Sequence, residues 1–112
     1  MASNLESYSA ARQLTTTVTT SVSTADNESK FLGDIAYTNT SLSRVEVTIW
    51  LLDGTIAATE GSGGNWLERR GIAPGKTWNV NPGKVLSPSM KWAAKADTGA
   101  VVNEFISGVT EV

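Results

Sequence analysis

The chain has 112 residues, enough for one hydrophobic core and too few for two. Nine Lys and Arg stand against eleven Asp and Glu, a net charge of −2 without a basic block, which argues against nucleic acid as a partner. There is no His and no Cys, which removes imidazole relays, thiol nucleophiles, disulfides and the usual zinc ligand sets.

Residues 1–13 are polar and read as an N-terminal arm ahead of a single domain over residues 14–112. They hold no apolar run of signal-peptide length, so the expectation is synthesis in the host cytoplasm without a targeting segment. No later stretch approaches the ~20 apolar residues of a membrane-spanning helix, so no membrane partner is expected. Within the arm, residues 3–12 are a helical candidate. Ser3 and Glu6 have capping-box spacing and Leu5 and Tyr8 share a side, but two turns are marginal in water.

Over residues 14–23 the apolar side chains Leu14, Val18 and Val22 fall on one face of a strand, and the density of Thr opposes a helix. Residues 30–39 place Phe31, Ile35 and Tyr37 in a second strand, and the turn formers Asn39-Thr-Ser-Leu-Ser43 then suggest a hairpin. Residues 44–52 alternate Val45, Val47 and Ile49 with polar neighbours and become wholly apolar from Ile49 to Leu52. This predicts a strand with those three residues facing the core and an end covered on both faces. Asp53-Gly54 is a two-residue hairpin signal leading into a strand over 55–59, and Glu60-Gly-Ser-Gly-Gly-Asn65 reads as a flexible loop.

An extended segment over 66–72 precedes Ala73-Pro74-Gly75-Lys76, with Pro second and Gly third as a type II turn demands. Short strands over 77–80 and 85–86 flank the similar turn Asn81-Pro82-Gly83-Lys84. Ser87-Pro88-Ser89 turns again, 90–96 is a strand, Asp97-Thr98-Gly99 turns, and 100–112 is the last strand with Val101, Phe105, Ile106 and Val109. Short strands between turn signals predict an all-β antiparallel β-sandwich of jelly-roll type.

Gly71-Ile-Ala-Pro-Gly75-Lys76-Thr77 has one residue too few between its glycines for a phosphate loop and no helix after it, so it reads as a turn. Asp53, Glu68, Asp97 and Glu104 could supply an acid–base pair, yet each sits at a turn or on the polar side of a strand, where a solvated charge is the ordinary reading. Asp26-Asn27-Glu28 lacks the alternate spacing of a calcium loop, so neither metal nor cofactor nor enzymatic activity is expected. Asn27-Glu-Ser29 and Asn39-Thr-Ser41 match the glycosylation triplet but carry no weight without a secretory signal. Of the four Trp, Trp50 and Trp92 lie within strands and Trp50 is expected in the core. Trp66 and Trp78, beside the glycine loop and the Pro-Gly turn, are candidates for stacking on sugar rings or on a partner. Arg69 and Arg70 point to opposite faces of one strand, so one of them must be ion-paired or at an interface.

Several of these elements recur together: a long hairpin closing on Tyr37-Thr-Asn39-Thr-Ser41, the strand Val45-Glu-Val-Thr-Ile-Trp-Leu-Leu52 before Asp53-Gly54, and Ile72-Ala-Pro-Gly-Lys-Thr77. Val85-Leu86 ahead of a Ser-Pro turn and a last strand ending Ile106-Ser-Gly-Val109 complete the set. Over residues 31–112 the chain resembles small β-sandwich virion structural proteins of tailed bacteriophages, and it departs from them in its Thr-rich segment, its arm and its four Trp. The resemblance implies a non-enzymatic virion protein, a capsid decoration or cement protein that stabilises the shell in many copies, or a tail or neck accessory protein. The implied partners are the major capsid or tail protein and further copies of the chain. The competing class is a receptor- or glycan-binding module using surface Trp residues.

A Thr-rich strand at a sheet edge would favour a homo-oligomer, a trimer or larger ring. Ordering a polar arm costs roughly 1 to 2 kcal/mol per residue in backbone entropy, which suggests that Leu5, Tyr8 and Leu14 anchor it on a neighbouring subunit. Trp66, Arg69, Arg70 and Trp78 are the other assembly candidates.

Overall fold

Alternating inward and outward side chains build two antiparallel sheets that bury their facing sides against each other. The computed structural model describes residues 3–54, 66–80 and 83–112, with the backbone alone for 3, 4, 10, 11, 66 and 67. The described strands are β1 (Ser3–Gln13), β2 (Thr19–Ser23), β3 (Ser29–Asn39), β4 (Val45–Asp53), β5 (Trp66–Ile72), β6 (Thr77–Asn79), β7 (Lys84–Leu86), β8 (Met90–Ala96) and β9 (Val102–Glu111). The first sheet has the order β1-β9-β3-β6, with β7 also paired to β3; the second has the order β2-β8-β4-β5.

Val45, Val47 and Ile49 of β4 and Trp92, Ala94 and Ala96 of β8 face Leu32, Ile35 and Tyr37 of β3 and Val102 and Ile106 of β9 across the core. The predicted face of β4 is therefore the buried one. Trp50, Leu52 and Ala93 form a second buried cluster on the outer side of that sheet, with Val18 packed against it, so the end of β4 is covered on both faces as its sequence implied.

The helix expected over residues 3–12 is not formed: that segment is β1, paired with β9 from Ser3↔Glu111 to Gln13↔Asn103. A capping box stabilises by about 1 kcal/mol, whereas the β9 ladder satisfies a whole row of backbone groups. The predicted arm is thus an edge strand of the chain's own sheet. The strand expected over 14–23 begins only at Thr19. Leu14 instead bridges, its N–H donating to Val102 and its carbonyl accepting from Ala100.

The expected hairpin at Asn39–Ser43 is an arch between sheets, since β3 lies in the first sheet and β4 in the second. Asn39 makes the arch. Its buried side-chain amide donates to the carbonyls of Ser43 and Ile72 at 2.7 and 2.9 Å, and its oxygen accepts from the N–H and hydroxyl of Ser41. Turn-forming residues serve a hairpin and an arch alike, so the sequence signal was the same for both. The Ala73–Lys76 turn is formed, with Gly75 at φ +71° and the Lys76 N–H donating to the Ala73 carbonyl. The strand expected over 55–59, the glycine loop and Asn81-Pro82 lie outside the described residues.

β3 carries an irregularity in its pairing with β9 between Leu32 and Asp34, and there the two backbones come close. A Cβ on Gly108 would overlap the Phe31 carbonyl, which is why this position in β9 is glycine.

Candidate functional site

The register of the first sheet sets Arg12, Glu104, Tyr37 and Trp78 in one inward-facing row across β1, β9, β3 and β6. Glu104, expected as a solvated charge, is 0% exposed. Its Oε1 accepts from Ser9 Oγ at 2.9 Å and Arg12 Nε at 3.0 Å, and its Oε2 accepts from Ser21 Oγ and Tyr37 Oη, both at 2.8 Å. Tyr37 Oη in turn accepts from Trp92 Nε1 at 2.9 Å, and Arg12 Nη2 donates to Ser21 at 2.7 Å. An irregularity in β2 between Thr20 and Val22 lets the adjacent Ser21 and Val22 both reach inward.

The network draws on β1, β3 and β9 of one sheet and β2 and β8 of the other, so it pins the sandwich together. Burial raises the Tyr37 hydroxyl well above its ordinary pKa of 10.0, and the Glu104 charge adds to the shift. Every acceptor site of the carboxylate is engaged, and no buried side-chain polar atom among the described residues lacks a partner. Chemically, this group of residues is a joint.

The anchor residues expected for the arm divide. Leu14 is in the core. Tyr8 is partly buried, sharing a 2.6 Å hydrogen bond with Thr110, with the Lys30 ammonium 5.3 Å from its ring centroid. Leu5 alone of the three projects outward, at 87% exposure.

Arg69 pairs with Glu46 and Arg70 with Glu68, each at 3.5 Å, and the Arg70 guanidinium lies 5.2 Å from the Trp78 ring centroid. Trp78 is only 5% exposed, tilted against Tyr37 with centroids 5.8 Å apart. Trp66 is paired through its backbone with Leu51, and its side chain lies outside the described residues. A shallow groove of about 290 Å³ runs past Arg70, Lys76, Thr77 and the rim of Trp78.

The feature that sequence reasoning missed is on the outer side of the first sheet. Leu5, Val109, Phe31 and Val85 stand opposite one another across β1, β9, β3 and β7. Phe31 and Val85 are 49% and 56% exposed, and Phe105 on β9 is a further exposed aromatic on the same side. Leu5, Phe31 and Val109 line a groove of about 480 Å³ that also touches Asp34 and Ser107. The residues were legible singly, but the row exists only through pairings between strands distant in sequence.

Among the described residues there is no group of three or more His, Cys, Asp or Glu placed to hold a metal ion, and no helix long and apolar enough to cross a membrane. No protein-family model, curated protein or solved structure matches the chain.

Proposed function

We propose that this chain is a non-enzymatic structural protein of a bacteriophage virion, present in many copies and decorating the capsid shell as a cement protein. The observation that carries the reading is the exposed apolar row Leu5–Val109–Phe31–Val85. A contiguous apolar face on a rigid sheet marks a surface that another protein covers. The strand order adds support. The chain crosses between the sheets from β1 through β4 and again from β5 to β6, from β7 to β8 and from β8 to β9, and the orders β1-β9-β3-β6 and β2-β8-β4-β5 are in the manner of a jelly roll, an architecture used by viral capsid domains and also by lectins. Fold alone does not assign function, so the sequence resemblance to phage virion proteins supplies the direction.

The glycan-binding alternative is weakened because Trp78, half of its proposed platform, is packed in the core. The test is co-sedimentation of the purified chain with shells and, separately, with tails of the phage that encodes it. Saturable binding to shells and a raised shell melting temperature are expected. Binding to tails alone would move the chain to the tail, and binding to neither would overturn the virion reading.

A further inference from the structure

We propose that two copies of this chain join edge to edge through β1, the segment Ser3–Ser7 of each pairing antiparallel with the same segment of the other about a two-fold axis at Leu5. The inference deepens the many-copy reading, resting on it only for the crowding that favours a short contact. It is tested on the isolated protein, so the two can fail separately.

β1 ends the first sheet, and among the described residues it pairs with β9 alone, so the backbone groups along its other side lie open to a further strand. The pairing with β9 is regular from Ser3 to Ser7 and irregular from there to Arg12, so Ser3–Ser7 is the straight part of that edge. It holds neither Lys nor Pro, the residues with which natural sheets commonly guard an edge. The other edges are guarded. β2 is irregular between Thr20 and Val22, and its Ser23 carbonyl accepts from Lys30 Nζ at 2.7 Å. β5 carries Glu68, Arg69 and Arg70, and β6 and β7 are 3 residues each.

The segment itself selects a second copy as the occupant. Ser3-Asn-Leu-Glu-Ser7 is nearly symmetric about Leu5, so antiparallel pairing on itself sets Ser3 against Ser7, Glu6 against Asn4 and Leu5 against Leu5. Neither carboxylate meets its own image, and each keeps the 2.6 Å hydrogen bond it accepts from Thr110. An axis at Glu6 would oppose two carboxylates, and one at Asn4 would set Leu5 against Ser3.

Leu5 is 87% exposed because it ends the apolar row, with Val109 beside it on one side only. Against Leu5 of a second copy the two rows become one, running from Val85 through Phe31, Val109 and both Leu5 residues to the far Val85. Such a pair offers the protein beneath it a continuous apolar face and two points of attachment in place of one. Pairing an edge with itself closes at two copies and leaves neither β1 open.

The chain has no Cys, so a single introduced thiol reports the contact. Directly opposed residues of an antiparallel pair bring their Cβ atoms to about 4.5 to 5.5 Å, within reach of a disulfide after small adjustment. Leu5→Cys, oxidised with copper phenanthroline, should cross-link into a dimer. Val85→Cys, exposed on the same face at the far end of the row, should not. Sedimentation velocity up to about 1 mM should show a monomer–dimer equilibrium, and Leu5→Lys, which opposes two ammonium groups at the axis, should weaken it about tenfold or more. At low concentration Leu5→Lys should melt with the wild type, showing that the loss is of contact and not of folding. A monomer at every concentration, a dimer that Leu5→Lys leaves intact, or cross-linking by Val85→Cys and not by Leu5→Cys would overturn the proposal. Slowed amide exchange at Ser3–Ser7 only on shells would also overturn it, assigning the edge to the shell protein. A monomer that still binds shells would leave the virion reading in place.

Discussion

Glu104 shows how much one side chain can carry. It is a full charge with no access to water, held by two hydroxyl donors from serines, a tyrosine and an arginine. Glu104→Ala should therefore lower stability by about 3 to 5 kcal/mol, because Arg12 and the Tyr37 hydroxyl lose their acceptor inside the sandwich. Denaturant titration measures this directly. Tyr37→Phe should cost less, about 1 to 3 kcal/mol, leaving Trp92 Nε1 and one Glu104 oxygen short of a partner.

The pH dependence follows from the direction of the Tyr37 shift. Its pKa is higher in the folded than in the unfolded chain, so the stability it contributes is fully present below the ordinary value of 10.0 and is lost as pH rises beyond it. Tyr8 is shifted the same way, chiefly by burial. Unfolding midpoints followed through the alkaline range should fall steeply for the wild type and more gently for Tyr37→Phe.

At the scale of elements, β1 is the strand whose role changes most once its partners are known. It covers β9 along almost its whole length and delivers Ser9 and Arg12 to Glu104. Deleting residues 2–13 should unfold the domain or remove most of its stability, which for a protein of this size is about 5 to 15 kcal/mol in total. Circular dichroism melting of the truncated chain reads the outcome, and a melt near that of the full chain would show that β1 is dispensable.

β9 has its own sensitive point. Gly108→Ala forces Phe31 and its strand to move, so it should lower stability well beyond the ~0.5 to 1 kcal/mol that the same change gains or loses at an uncrowded strand position. Val47→Asp on β4 buries an unpaired charge at a fully enclosed site and should cost several kcal/mol, about the upper end of single substitutions. Thermal melting separates both variants from the wild type.

For the whole molecule, the pairings that define it are remote in sequence. Ser3 meets Glu111, and Thr19 meets Ala94. Loop closure of that span precedes any favourable contact, so refolding should be on the order of milliseconds to seconds rather than microseconds, as stopped-flow fluorescence of the buried Trp residues would record. Because the Glu104 network joins both sheets, the sandwich should unfold in one transition, with fluorescence and circular dichroism coinciding.

Alternation and turn chemistry placed β3, β4, β5, β8 and β9 to within a few residues, fixed the inward face of β4, and identified the Ala73–Lys76 turn down to its left-handed glycine. These are local properties: a period of two and a glycine or proline at a given turn position act on neighbours along the chain whatever the rest of the fold does. The choice of partner strand is different, because every strand exposes the same backbone groups and can ladder with any other.

That choice decided that residues 3–13 form an edge strand and that Asn39 turns the chain from one sheet into the other. It also decided that the charged Glu104 lies at the centre of the core while the apolar Phe31 and Leu5 face outward. A pattern of alternation says that two faces exist; only the packing of one sheet on another says which face is inside.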